Sequence, residues 1–449
     1  MRHNDFIHDN IFKTLLLFSI PIIITNTVTL LFHAADVAVL AFFSDDSSVA
    51  AVGACGSLIT LMVALFFGLA EGANVLIAKR MGAQDRDGAR KAIGTSLIIG
   101  FLSGLFLMTI SLIFARDFLI LMKCQEDVLD MATLYLTIYF VGSPILMTNS
   151  FSQAILRSLG ESGRVMCYSL LSGVINIIFN IIFVALFDLH VIGVAIATVL
   201  SALISLILAF IRLFGKRTGP NLKWRDIRLG RLELIEIVRV GIPTCISALF
   251  FYAANVVLSS AVNSISTEAM TANAISGQFD GIIYTVGAAI AAASSVMVAQ
   301  NYGAKKINRI KKIIPIGIVY STAVSLTLGS LFVITAEPLL GLLSDSRSVI
   351  EIAKDRMTLL CLTYFVTSIM EVFAFSLRAL KRQKSTVIAG GICGFGIRCL
   401  WRFFVWPKKP TLSALFACFP VSAAAAIIIY LFVYRDALKD LNEDISLKI

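Results

Sequence analysis

The carboxylates Asp36, Glu71, Asp280 and Glu371 stand inside long apolar stretches of this chain. A charge at the middle of a bilayer costs roughly 2.5–3.5 kcal/mol on insertion scales, so each acid kept at that depth is a functional candidate. Asp36 is the first of them. It follows Pro21 in the same run, and a proline removes one helix hydrogen bond and permits a kink. Burial favours the neutral form of a carboxyl group, so protonation of Asp36 would remove a charge and let a Pro21-hinged helix repack. The competing reading puts Asp36 near the outer end of its helix, in water. His33, one turn earlier, is either a modulator of that acid or a packed polar contact. Asn176 and Asn180 share one helix face at i, i+4. Their amide oxygens suit a hard cation or simply tie helices together.

The second group lies far downstream. Gln278 and Asp280 sit in Gly277-Gln278-Phe279-Asp280-Gly281, and Glu371 lies deep in a later apolar run. They suit a substrate site or a second ion site. Buried polar ties and small-residue packing are the alternative. An Asp280–Glu371 pair would hold a proton, because like charges in one site disfavour double ionisation. Arg398 and Arg402, one turn apart, are candidate counter-ions to Glu371 or reach toward headgroups. Glu71 precedes Lys79 and reads as an acid that snorkels or pairs near the membrane face.

The elements that hold these residues follow from composition. The chain has 449 residues, 58% hydrophobic and only 15% charged, against about 25% charged in soluble domains. Runs long enough to cross a bilayer as helices are predicted at 14–42, 50–78, 92–115, 128–150, 165–187, 190–212, 233–262, 268–300, 312–335, 349–376, 385–406 and 411–434. The run from Thr14 to Phe32 is too long for a signal-peptide core, so an uncleaved first span is expected. Lys and Arg divide 28 to five between alternate loop sets, and five more lie within the spans. That bias puts both termini in the cytoplasm of a multi-pass protein and explains the net charge of +10 without nucleic acid. Eight cysteines include no C-x-x-C pair, and His3, His8, His33 and His190 have no ligand spacing. No G-x-x-x-x-G-K-[ST] loop occurs. An enzyme is therefore not expected, and neither is a cofactor or a metal beyond sodium.

The chain repeats itself. Ser19-Ile20-Pro21 answers Gly241-Ile242-Pro243 at an offset of 222, and Gly82-Ala83 answers Gly303-Ala304 at 221. Leu156-Arg157-Ser158-Leu159 likewise answers Leu377-Arg378-Ala379-Leu380 at 221. The expected fold is an all-α integral membrane protein, with twelve transmembrane helices in two pseudo-symmetric six-helix bundles. Residues 1–215 form one bundle, 216–231 a cytoplasmic linker and 232–449 the other. An even number of spans per half makes the repeat parallel, an arrangement typical of transporters that rock two halves about a central cavity. The four acids break the repeat: Asp36 maps to Leu258 and Glu371 to Ser150, which favours function over scaffolding.

Several stretches together resemble the bacterial multidrug and toxic compound extrusion (MATE) transporters. They are Phe18-Ser19-Ile20-Pro21, His33-Ala34-Ala35-Asp36, Ala50-Ala51-Val52-Gly53-Ala54, Gln300-Asn301-Tyr302-Gly303-Ala304 and Ile369-Met370-Glu371-Val372. The resemblance spans nearly the whole chain. It implies antiport: protons or sodium ions enter while small organic, often cationic or amphiphilic, compounds leave across a bacterial inner membrane. It implies that Asp36 carries the coupling ion, with Asn176, Asn180, Tyr139 and Thr198 as neighbours. The family often has an aspartate where Asn180 stands, and that departure puts a two-carboxylate proton site in doubt. A monomer is expected. The alternative is a flippase for lipid-linked precursors, which would need a cavity rich in Arg and Lys to hold phosphate. Few cations are placed at depth by the sequence.

Overall fold

The computed structural model describes residues 5–122, 124–215 and 220–446. Arg2, Lys123, Lys216, Arg217 and Lys448, all used in the charge bias, lie outside the described residues, as does the start of the predicted linker. Among the described residues all regular structure is helical. Among the described residues eleven helices are long and apolar enough to cross a membrane, and a bent pair counted as one span brings the total to 12. In chain order these are α1 (Ile11–Phe43), α2 (Ser47–Gly82), α3 (Arg86–Leu121), α4 (Glu126–Val141 with Ser143–Ser158), α5 (Ser162–Leu186) and α6 (His190–Leu213). The second set is α7 (Arg231–Asn263), α8 (Thr267–Gly303), α9 (Ile307–Ile334), α10 (Arg347–Ala379), α11 (Gln383–Lys408) and α12 (Leu412–Glu443).

Span α4 departs from the predicted straight helix over 128–150. It bends by 51° at Gly142 and continues to Ser158, eight residues past the expected end. Pro144 stands at the start of the second piece, where a missing N–H costs nothing. Ser143 holds the corner by donating to the carbonyls of Phe140 (2.6 Å) and Gly104 (2.7 Å). Span α5 ends in a π-helical stretch, Ile181–Leu186. Span α11 carries two, Gly390–Ile397 and Trp401–Val405. At the repeat offset of 221, Ile181 maps to Arg402, so the duplicated halves place a π turn at the same point. Such turns leave backbone groups locally unpaired and recur at functional positions.

Two compact units emerge. One contains Ile24–Cys245; the other contains Asp5–Ile23 and the chain from Ile246 onward. The division runs through α1 and α7, two residues after Pro21 and two residues after Pro243. Both prolines lie inside continuous helices, where they relax one hydrogen bond.

In the first unit the opening half of α7 lies close against α2. A Cβ on Gly72 would stand 2.4 Å from the Ile237 carbonyl oxygen, and one on Gly241 would stand 2.8 Å from the Leu69 Cα. Small residues permit this approach, which drives helix association where lipid is as apolar as leucine. The core of this unit gathers Leu107, Leu119, Leu136, Phe140 and Met147.

In the second unit α8 is the most enclosed span. Its small residues bring α10 near: Ser295 donates to the Phe375 carbonyl at 3.2 Å. Ser325 of α9 meets Ser368 of α10 at 2.7 Å. The Asn301 amide of the QNYGA stretch is buried and donates to the Phe6 carbonyl at 3.0 Å. Tyr320 donates to the Phe12 carbonyl at 3.0 Å. The first turns of the chain are thus fastened into the second unit.

Candidate functional site

Within the first unit, α1, α5 and α6 bring four of the sequence-predicted residues together. The Asn180 Nδ2 donates to Asp36 Oδ1 at 2.6 Å and to Asn176 Oδ1 at 3.3 Å. The Asn176 amide in turn approaches the Thr198 hydroxyl at 3.5 Å, and that hydroxyl donates to the Val194 carbonyl at 3.0 Å. Asp36, Asn176 and Asn180 are 8%, 5% and 0% exposed. Asp36 therefore does not meet bulk water, the competing reading of its position. Tyr139 on α4 is half-buried beside Tyr135 and Phe140, within electrostatic range of Asp36. No hydrogen bond joins it to the acid among the described residues.

His33 is not a packed contact. Its side chain is 64% exposed and its Nδ1 lies 3.8 Å from Asp36 Oδ2. His33 forms an ion pair with Asp36 only when protonated, and among the described residues no Lys or Arg pairs with that acid. Asn180 Oδ1 is buried with no hydrogen-bond partner. An unmade acceptor in such surroundings is costly. The site can hold a proton on the carboxylate or a hard cation among oxygens. On the same α5 face, two turns before Asn180, a Cβ on Gly173 would overlap the Phe32 ring of α1; glycine there lets α1 lie against α5.

In the second unit Asp280 and Glu371 have different charged neighbours. Asp280 does not pair with Glu371. It receives Arg356 of α10, with Nη1 at 3.0 Å from Oδ1 and Nη2 at 3.4 Å from Oδ2. Arg356 also donates to Ser276 Oγ at 2.9 Å and lies over the Phe416 ring at 4.2 Å. This arginine escaped the sequence reading, although a basic residue inside the α10 run was a visible signal. Gln278 is exposed; two residues from Asp280 on a helix, it points elsewhere. Glu371 is half-buried, within electrostatic range of Arg378, Arg398 and Tyr284. Arg398 does stand near Glu371 as anticipated, while Arg402 lies over Trp406 at 4.4 Å. Arg356, Arg378 and Arg398 are 4%, 7% and 3% exposed. The sequence had suggested fewer cations at depth. Glu71 does not snorkel: it is buried and accepts from Asn74 Nδ2 at 3.3 Å, with Arg157 in electrostatic range.

The fold and these two polar clusters define an internally duplicated, multi-span membrane protein with ionisable groups in its interior, the architecture of secondary transporters. The MatE family model matches residues 21–182 and 243–402, one match per repeat. The chain belongs to the MatE family, the multidrug and toxic compound extrusion transporters. It is 24% identical over 378 residues to the "Probable multidrug resistance protein YoeA" of Bacillus subtilis (strain 168), covering 82% of this chain and 81% of that one. It is 21% identical over 386 residues to the "Multidrug export protein MepA" of Staphylococcus aureus (strain NCTC 8325 / PS 47), covering 84% of each. A crystal structure of MATE in the straight conformation superposes with a TM-score of 0.89 at 22% identity, covering 99% of both chains.

Proposed function

We propose that this protein is a cation-coupled antiporter of a bacterial inner membrane that exports small organic, cationic or amphiphilic compounds by alternating access. The observation that carries the reading is the buried hydrogen bond from Asn180 to Asp36 at 2.6 Å, set among Asn176, Thr198 and the unpartnered Asn180 oxygen. A carboxylate held by the Asn180 amide rather than by a guanidinium keeps its charge available to a proton or sodium ion. The names of the relatives support drug-like cargo. Binding of the ion at Asp36 and bending of α1 at Pro21 are the coupling step, and the six-helix halves 1–215 and 232–449 alternate about the linker. Both termini face the cytoplasm, and one chain is the working unit.

In the second unit Glu371 is the better ion or substrate ligand. Asp280 already has its charge met by Arg356, and Gln278 is turned away. The lipid-linked flippase reading is disfavoured, since the named relatives are drug exporters.

The test is transport by the purified chain in proteoliposomes. Ethidium should accumulate inside the vesicles against its gradient when an outward pH or sodium gradient (lumen acidic or sodium-rich) is imposed, and should stop when that gradient is collapsed. Equal ethidium movement with and without both gradients would refute coupling.

A further inference from the structure

Outside the Asp36 cluster, the feature that asks for a ligand is Arg398 on α11. Its side chain is 3% exposed. Its Nε makes a long hydrogen bond to Ser422 Oγ on α12, at 3.3 Å. Its Nη1 is buried with no hydrogen-bond partner. A guanidinium is charged at all physiological pH and carries five donors in a planar fork, so an unmet buried donor on it is costly. Glu371, the nearby acid, exerts its charge on Arg398 but accepts no hydrogen bond from it among the described residues.

Charge bookkeeping sharpens the point. Asp280 and Arg356 neutralise each other as a buried pair. That leaves Glu371 facing two cations, Arg378 and Arg398, an excess of one positive charge. A monoanion balances it. A phosphate dianion would overshoot.

The walls are aromatic. Arg398 lies 4.0 Å above the Phe419 ring and 5.5 Å from that of Phe251. Phe251 stacks with Tyr284 at an interplanar angle of 11° and a centroid distance of 6.2 Å. Phe251, Tyr284 and Glu371 are only half-buried, so the arginine lies beneath a partly open aromatic surface. The repeat contains no second copy. At the offset of 221, Arg398 maps to Ile177 and Phe419 to Thr198. A purely architectural arginine of the duplicated bundle would have a counterpart.

We propose that Arg398 and Ser422 form, within the second unit, a receptor for the carboxylate of an aromatic substrate, with Phe251, Tyr284 and Phe419 holding the ring. This rests on the exporter reading and names the residues of the second unit that would recognise a carboxylate-bearing substrate. A carboxylate matches the guanidinium fork with paired hydrogen bonds, and aromatic rings supply apolar contact of defined geometry.

The experiment measures binding of three probes to the purified full-length chain in nanodiscs: norfloxacin, its methyl ester and ethidium. On the wild type the ester should bind about tenfold more weakly than the acid, the scale of a charge-assisted hydrogen bond. Arg398→Gln should weaken norfloxacin about tenfold, leave the ester and ethidium within about twofold, and so erase the acid–ester difference. Arg398→Lys should recover part of the loss, because it keeps the charge and loses the fork. The acid–ester comparison on the wild type needs no variant to fold. Equal affinity for acid and ester there, or equal loss of all three probes in Arg398→Gln, overturns the site. Gradient-driven ethidium transport by the wild type is scored separately. If it persists while the acid–ester difference is absent, the carboxylate site falls and the exporter stands. If it fails while the difference is present, the exporter falls and the binding site stands.

Discussion

Replacing Asp36 by Asn separates fold from coupling. The amide keeps the shape of the carboxylate, and its oxygen can still accept from Asn180 Nδ2, now 2.6 Å from Asp36 Oδ1. The change converts a charge-assisted hydrogen bond, worth about 1.5–3 kcal/mol, into a neutral one worth about 1 kcal/mol. A loss of about 0.5–2 kcal/mol is small enough to leave a folded protein and its membrane insertion intact. The effect on work is much larger. A pH difference of about 2 units supplies about 2.7 kcal/mol per proton, enough for an accumulation ratio near 100 with one proton per substrate. A hundredfold sodium gradient supplies the same. With no titratable or cation-binding carboxylate at position 36, the ratio should fall to about 1 under either gradient. The assay is ethidium accumulation in proteoliposomes containing matched amounts of wild type and variant, with thermal unfolding measured on the same preparations. Asp36→Asn protein that unfolds near the wild-type temperature and still concentrates ethidium near the wild-type ratio would refute the assignment.

Other perturbations test the architecture. Arg356→Met strands Asp280 without its buried partner and should cost about 3–5 kcal/mol, whereas adding Asp280→Leu should restore much of the loss; thermal unfolding in detergent reads both. Gly72→Val puts a side chain where even a Cβ would lie 2.4 Å from the Ile237 carbonyl, and should lower stability by about 1–3 kcal/mol or more through overpacking. Asp85, in the loop between α2 and α3, caps α3 through the Gly88 N–H at 2.9 Å and meets Arg80 at 2.9 Å. The Gly88 hydrogen bond, then the arginine, holds its carboxyl below the ordinary value of 3.8. A depressed folded value stabilises above the unfolded one and is lost as pH falls through the folded one. Asp85→Ala should therefore cost about 1 kcal/mol at neutral pH, and the difference from wild type should shrink only below pH 3.8.

The gross fold was legible because the bilayer imposes simple arithmetic: run length sets the spans. Asp36 and the Asn176–Asn180 face were readable for a related reason. A polar group stands out in an apolar run, and i, i+4 spacing fixes a shared helix face. Tertiary pairing was not readable. Arg356 and Asp280 lie on α10 and α8, and only the packing of small α8 residues brings them together. The break in α4 had its signal in Gly142-Ser143-Pro144, yet its continuing hydrophobicity favoured one straight helix. Gln278 shows the limit of proximity in sequence, since two residues along a helix turn a side chain to nearly the opposite side. The π turns carry no periodic signal, because one inserted residue barely alters the apolar pattern.

The placement of Pro21 and Pro243 has a bearing on how the molecule is made. Asp5–Ile23 is synthesised first but belongs with the unit that is translated last. The stretch from Arg231 to Cys245 is made after the first six spans, yet completes the unit they begin. Neither unit has its full set of residues while the ribosome is still short of the middle of the chain. A gene cut at the linker would yield two fragments, each carrying a piece of the other's interior. The duplicated halves are therefore expected to be inseparable products of one continuous translation rather than modules that can be swapped freely.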